Sequence, residues 1–196
     1  MHVGRWEGNE RVSFLGLGDK VFVVFGIANK RSVAYHIAKR LLEEGATVIC
    51  SVRSEARQET VGKLLPTCDI HVCDVEQDGE ITALVEVIQR KRPVVHGLLH
   101  SIAFASYESF SGKFHEVSRK DFVQCISVSC YSLIAIANAF KEMLDRRASV
   151  VTISISTSRM AVESYGYMAP VKAALDSSLT FLAKSFSRFS EVRFNA

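Results

Sequence analysis

Short apolar runs alternate with amphipathic stretches along almost the whole chain, and few folds accept that pattern. Val21-Phe-Val-Val-Phe25 is continuous, β-branched and aromatic, and has the length of a strand. A run with no polar face belongs in a sheet covered on both sides. Ala46–Val52, Asp69–Cys73, Gly97–Ile102 and Ala148–Ser154 read as four further strands. Helical patterns separate them: Val33–Glu44 with Gly45 just past its end, a helix capped by Ser54 and reaching about Leu65 before Pro66, Glu80–Gln89, and Arg119 to about Leu144. A last helix follows Tyr165 and runs to about Phe189. The connections are too long for hairpins. Such alternation predicts right-handed βαβ units in an α/β fold, a Rossmann-like, doubly wound parallel sheet.

No repeat or low-complexity linker interrupts the 196 residues, so residues 1–196 read as one domain, with 1–18 as an N-terminal arm. The formal net charge is only +3, and no run of Lys and Arg interleaves with aromatics, which argues against a nucleic-acid partner. The longest apolar runs fall short of a membrane span. Met1–Gly18 carries Glu7 and Glu10 and no apolar signal-peptide core. The five cysteines form no CxxC pair and read as reduced, mostly buried thiols of a cytoplasmic protein. The six histidines show no metal-ligand spacing, and no metal is expected.

In doubly wound sheets ligands bind outside the carboxyl ends of the strands, and unusual residues cluster there. After the first strand, Gly26 allows a tight turn, and the helix beginning near Ser32 offers free N–H groups and a positive dipole end to a pyrophosphate. The usual G-x-G-x-x-G is absent, and a plain strand-to-helix loop fits as well. After the second strand, Arg53 and Arg57 suit a 2′-phosphate, which favours NADPH over NADH, although Glu55 lies between them. Asp74-Val75 follows the third strand, as an adenine contact or simply a turn-starting Asp. Ser101-Ile-Ala-Phe-Ala105 follows the fourth, with small side chains that let a ligand lie against the backbone.

The stretch Ser164-Tyr-Gly-Tyr-Met-Ala-Pro-Val-Lys172 is either a surface Tyr and a solvated Lys on an amphipathic helix or a pair fit for hydride-transfer chemistry. Tyr165 and Lys172 are seven residues apart, nearly two helical turns, so on a continuous helix they would share a face. A phenol can donate to an oxygen that is gaining negative charge, and a nearby ammonium can lower the phenol's pKa and hold a polyol. Pro170 modifies this. A helix-interior proline costs about 3 kcal/mol, so the helix is expected to begin near Ala169 with Pro170 in its first turn and Tyr165 in the lead-in.

Gly26-Ile-Ala-Asn-Lys-Arg-Ser-Val-Ala-Tyr35, Cys73-Asp-Val75, His100-Ser-Ile-Ala-Phe-Ala105, Ser129-Cys-Tyr-Ser132 and Tyr165-x-x-Met168-x-x-x-Lys172 occur in order. Together they resemble the bacterial NAD(P)H-dependent enoyl-acyl-carrier-protein reductases, divergent short-chain dehydrogenases, over roughly Leu15 to Ala196. The glycine-poor first loop and the Tyr-to-Lys spacing set this branch apart from ordinary short-chain dehydrogenases, whose Lys lies four residues after the Tyr. The resemblance implies that Gly26, Ser32 and Val33 hold the pyrophosphate of NADPH or NADH. It places Arg53 at the adenosine ribose, Asp74 and Val75 at the adenine, and Ser101, Ile102 and Ala103 near the nicotinamide side. Lys172 would bind the nicotinamide ribose, and Tyr165 the thioester carbonyl of an enoyl chain carried on acyl carrier protein. The implied activity is reduction of the trans-2 double bond in fatty acid biosynthesis, by a homotetramer. A ketone or aldehyde reductase of the same superfamily and a non-catalytic nucleotide-binding paralogue are the alternatives.

The chain departs from this family in two further ways. Ile155 stands where the family usually has a second Tyr, ten residues before the active-site Tyr. The chain also stops at Val192-Arg-Phe-Asn-Ala196, so the last strand and the substrate loop of relatives are expected to be missing from it.

Overall fold

The computed structural model describes residues 14–107, 111–156, 161–162 and 165–196. Most of the expected arm, the middle of the loop expected over Tyr107–Glu116 and Ser164 lie outside them. Six parallel strands form one sheet: β1 (Val21–Phe25), β2 (Thr47–Val52), β3 (Asp69–Val72), β4 (Val95–His100), β5 (Leu144–Thr152) and β6 (Arg193–Asn195). Their spatial order is β3-β2-β1-β4-β5-β6, the arrangement of a doubly wound dinucleotide-binding fold. The helices are α1 (Val33–Glu43), α2 (Glu55–Leu64), α3 (Asp78–Lys91), α4 (Arg119–Phe140) and α5 (Met168–Phe186).

Side chains alternate across the sheet with the period of two that a strand imposes. Val23, Phe25, Leu98 and Val150 enter the core under α3, α4 and α5, beside Ile81, Leu133, Phe140 and Leu175. Val24, Cys50 and Leu99 enter the opposite core, with Ala34, Ala38 and Val61 of α1 and α2. Runs apolar at every position are thus explained by cores on both faces. All five thiols are free, and four are buried.

The structure corrects one expectation and adds two features to the sequence reading. The fourth helix stops at Phe140 rather than near Leu144, because Lys141–Met143 turns and Leu144 already pairs with Val95. Strand β5 therefore includes the polar Asp145-Arg-Arg147 segment, taken up by an irregularity in its pairing with β4. Arg146 and Arg147 both pair with Glu191, each at 3.1 Å. Second, α4 carries a wide π turn over Ser127–Tyr131, which hydrophobic periodicity does not encode. Third, α4 is long and apolar enough to cross a membrane, with mean hydropathy 1.6, although no single run in it is; 44% of that window is buried inside the fold.

Candidate functional site

A groove of about 250 Å³ crosses the carboxyl ends of β1 to β4, where the chain turns outward in both directions from the β1–β4 pair. Gly26, Arg53, Asp74, Val75, Ser101, Ile102 and Ala103 all line it. Gly26 has φ +94°. A Cβ there would collide with the Ser101 carbonyl, whose carbon would lie 2.6 Å away. The β1 and β4 ends are that close because the Ser101 N–H donates to the Phe25 carbonyl at 3.1 Å.

Ser32 and Val33 stand apart from this lining. The Ser32 hydroxyl accepts the N–H groups of Ala28 and Asn29, at 3.0 and 3.1 Å, and shapes the loop that leads into α1. Val33 is 51% exposed, although it is apolar and helical. It begins the helix, before the helix reaches the sheet.

Asp74 fills the turn-starting role, one of the two that the sequence left open. Its carboxylate accepts the Glu76 N–H at 3.1 Å and so starts a turn, and it faces the Arg53 guanidinium at 3.6 Å. Arg53 also lies over the Phe104 ring, 5.3 Å from its centre. Arg57 lines the groove too and donates to the Ala28 carbonyl at 3.0 Å. Both guanidinium groups therefore have partners at the groove, while Arg53 keeps 59% of its side chain exposed. Phe104 and Glu76 are lining residues that carried no assignment from sequence; each comes within three residues of an assigned one, which is the only signal they offered.

The π turn of α4 aims Ser129 at the segment leaving β4. Its hydroxyl accepts from Phe104 N–H at 2.9 Å and donates to Phe104 C=O at 3.1 Å. Lys172, in the second turn of α5, is only 3% exposed. Its ammonium donates to the carbonyls of Ile153 at 2.6 Å and Ile102 at 3.3 Å, just beyond β5 and β4. Burial lowers its pKa, and the Asp176 carboxylate partly offsets that. Tyr165 precedes α5, as Pro170 in the helix's first turn predicted, and is half-buried against the α4–α5 core.

Beneath Lys172, His100 is 1% exposed between Thr152 Oγ1 and Ser132 Oγ, each 2.8 Å from a ring nitrogen. Those hydroxyls also lie within bonding distance of the His100 and Val128 carbonyls, at 3.1 and 2.6 Å. A neutral imidazole has one N–H, so one hydroxyl turns its proton to the ring. Burial, and then the Lys172 charge, depress the His100 pKa to about 3 from 6.5. Between these values the unfolded chain binds the extra proton. His100 thus favours the folded state above pH 6.5, and that contribution is lost as pH falls toward 3, by ~1.4 kcal/mol per pH unit. His100→Leu, which leaves both hydroxyls their carbonyl acceptors, should flatten this dependence. Urea midpoints at several pH values in this window measure it, and parallel slopes in wild type and variant would refute it.

The 3-2-1-4-5-6 sheet, the closed approach at Gly26 and the groove beside it define an α/β protein with a dinucleotide-binding fold. The family model described as enoyl-(acyl carrier protein) reductase matches residues 26–196. Among similar proteins is the NADH-dependent enoyl-[acyl-carrier-protein] reductase FabI of Enterococcus faecalis, 36% identical over 168 residues, covering 85% of this chain and 67% of the relative. The NADPH-dependent FabI of Staphylococcus aureus is 34% identical, covering 86% and 68%. The Bacillus cereus enoyl-acyl carrier protein reductase, solved with NADP+ and indole naphthyridinone, superposes with a TM-score of 0.87 at 32% identity, over 92% of this chain and 72% of that one. The chain belongs to the enoyl-acyl-carrier-protein reductase family.

Proposed function

We propose that the protein reduces the trans-2 double bond of an enoyl thioester on acyl carrier protein, in fatty acid biosynthesis, with NADPH or NADH. The observation that carries this is the double use of the segment leaving β4. Ser101–Ala103 lines the groove, and a few residues on the same segment touches the turn bearing Tyr165. Cofactor groove and candidate acid thus share one piece of backbone.

The residues present fit a dinucleotide. Gly26 lets the backbone close without a side chain, Arg53 and Arg57 are cations at the adenosine end, and Val75 is an apolar wall. With Gly26, Ser32 and Val33 would hold the pyrophosphate, Asp74 the adenine with Val75, and Ser101, Ile102 and Ala103 the nicotinamide half. When bound, the reduced nicotinamide supplies the hydride. Lys172, dry and already directed along the β4 and β5 exits, would hold the nicotinamide ribose. Tyr165 would donate to the thioester oxygen as negative charge gathers there, and a donor fixed in advance stabilises that charge most strongly. We also read the protein as cytoplasmic and homotetrameric. Val123 and Tyr131 on α4 and Phe181 on α5 are 56%, 48% and 74% exposed, which supports helix faces shared between copies.

The test is loss of reduced-cofactor absorbance with crotonyl and acetoacetyl thioesters, each offered with NADPH and NADH. Turnover of the crotonyl substrate, faster with NADPH, is expected. Turnover of the acetoacetyl thioester alone would instead establish a ketone reductase, and cofactor binding with no turnover of either a non-catalytic paralogue.

A further inference from the structure

Tyr165 sits ahead of helix α5, in the turn that leads into it. Helix α5 begins at Met168, so Tyr165 lies outside its hydrogen-bond ladder. The Tyr165 N–H donates only locally, to the Val162 carbonyl at 3.1 Å. The next residue, Gly166, has φ +52°, a conformation glycine enters and leaves at little cost. A side chain before such a hinge takes its direction from whatever anchors the backbone around it.

Two phenols provide those anchors, in opposite directions. The Tyr107 hydroxyl donates to the Tyr165 carbonyl at 3.4 Å, on the near side of the hinge. The Tyr167 hydroxyl, on the far side, donates back to the Ser106 carbonyl. The two rings pack 5.6 Å apart at 42°, and Phe122 of α4 lies 6.4 Å from the Tyr167 ring. Tyr167 is fully buried, whereas Tyr107 is 47% exposed. Burial raises the pKa of both phenols, so both remain donors across the neutral range.

We propose that Tyr107 and Tyr167 are positioning residues for Tyr165: their hydroxyls lace the segment leaving β4 to both sides of the Gly166 hinge and so fix the backbone from which the Tyr165 phenol projects. Because Ser106 and Tyr107 continue directly from the groove-lining Ser101–Ala103, the lacing sets Tyr165 relative to the cofactor groove. The role rests on the proposed reductase function for its catalytic consequence, but not for its structural one.

The experiment is a mutant cycle. Tyr107→Phe and Tyr167→Phe keep the rings and remove the donors. Together they should lower kcat with crotonyl thioester about tenfold, with the Kd for NADPH unchanged. In a Tyr165→Phe background the same pair should change kcat less than about twofold, because it acts only through the Tyr165 hydroxyl. Amide exchange at Gly166 and Tyr167 should quicken about tenfold in the pair, without cofactor. Unchanged exchange with unchanged kcat overturns the proposal; so does an equal loss in both backgrounds, which would mean general damage. Should Tyr167→Phe fail to fold, Tyr107→Phe, which loses a partly exposed hydroxyl, decides it alone through the same cycle. If wild type turns over no thioester, the proposed function fails, and the exchange rates still test the lacing.

Discussion

Tyr165→Phe is expected to lower kcat for crotonyl thioester reduction by about 10² to 10³, the usual cost of removing one pre-positioned donor to a developing oxyanion. The ring volume is unchanged, and Tyr165 is half-buried against the core, so the melting temperature should stay nearly constant. The cofactor Kd should not move, since Tyr165 is not among the residues lining the groove. KM for the thioester should change little if the bond strengthens as charge accumulates, because such an interaction acts on the transition state. Steady-state kinetics with cofactor titration by fluorescence measure all three quantities. Equal kcat in wild type and Tyr165→Phe would remove Tyr165 from its role.

Gly26→Ala should do the opposite, damaging fold and groove together. The position has φ +94°, outside the range an alanine adopts without strain. The new methyl would also meet the Ser101 carbonyl and lie 3.3 Å from the Ile102 nitrogen. These are backbone atoms that cannot rotate away. Relief requires the β1 and β4 ends to separate, breaking the 3.1 Å bond from Ser101 N–H to Phe25. A cost of about 3–5 kcal/mol follows, in the class of substitutions at a constrained backbone position. For a domain of this size that is a fall in Tm of roughly 10 °C or more. Dinucleotide affinity should fall with it, because Ser101–Ala103 moves. Gly79→Ala is the control: its Cβ meets nothing within 4 Å, and Tm should hold or rise slightly. Calorimetry on the two variants decides it; a Gly26→Ala protein melting with wild type would show that the close approach is absent in solution.

Much of this was legible along the chain. Each strand end carried its odd residues in plain view, because in a doubly wound sheet all carboxyl ends open on one edge. Lys172 was legible as chemistry and not as environment. A lysine on an amphipathic helix reads as solvated, yet it is 3% exposed and bonded to two strand-exit carbonyls. Those carbonyls belong to Ile102 and Ile153, distant in sequence and anonymous as residue types. The π turn that brings Ser129 to Phe104 was hidden for a related reason. One extra residue in a turn leaves the apolar periodicity nearly intact.

Sequence alone determined the layered α/β class, the clustering of unusual residues at the carboxyl ends of the strands, and Pro170 as the limit that leaves Tyr165 before its helix. These follow from side-chain period, backbone restriction and helix-end chemistry, all of which act within a few residues. Only the tertiary structure decided that Gly26 answers to Ser101, that His100 is locked between Thr152 and Ser132, and that Tyr107 and Tyr167 lace the Gly166 hinge. Each of those depends on atoms 25 or more residues apart meeting at hydrogen-bond or contact distance, and no local pattern in a chain records which carbonyl a side chain will find.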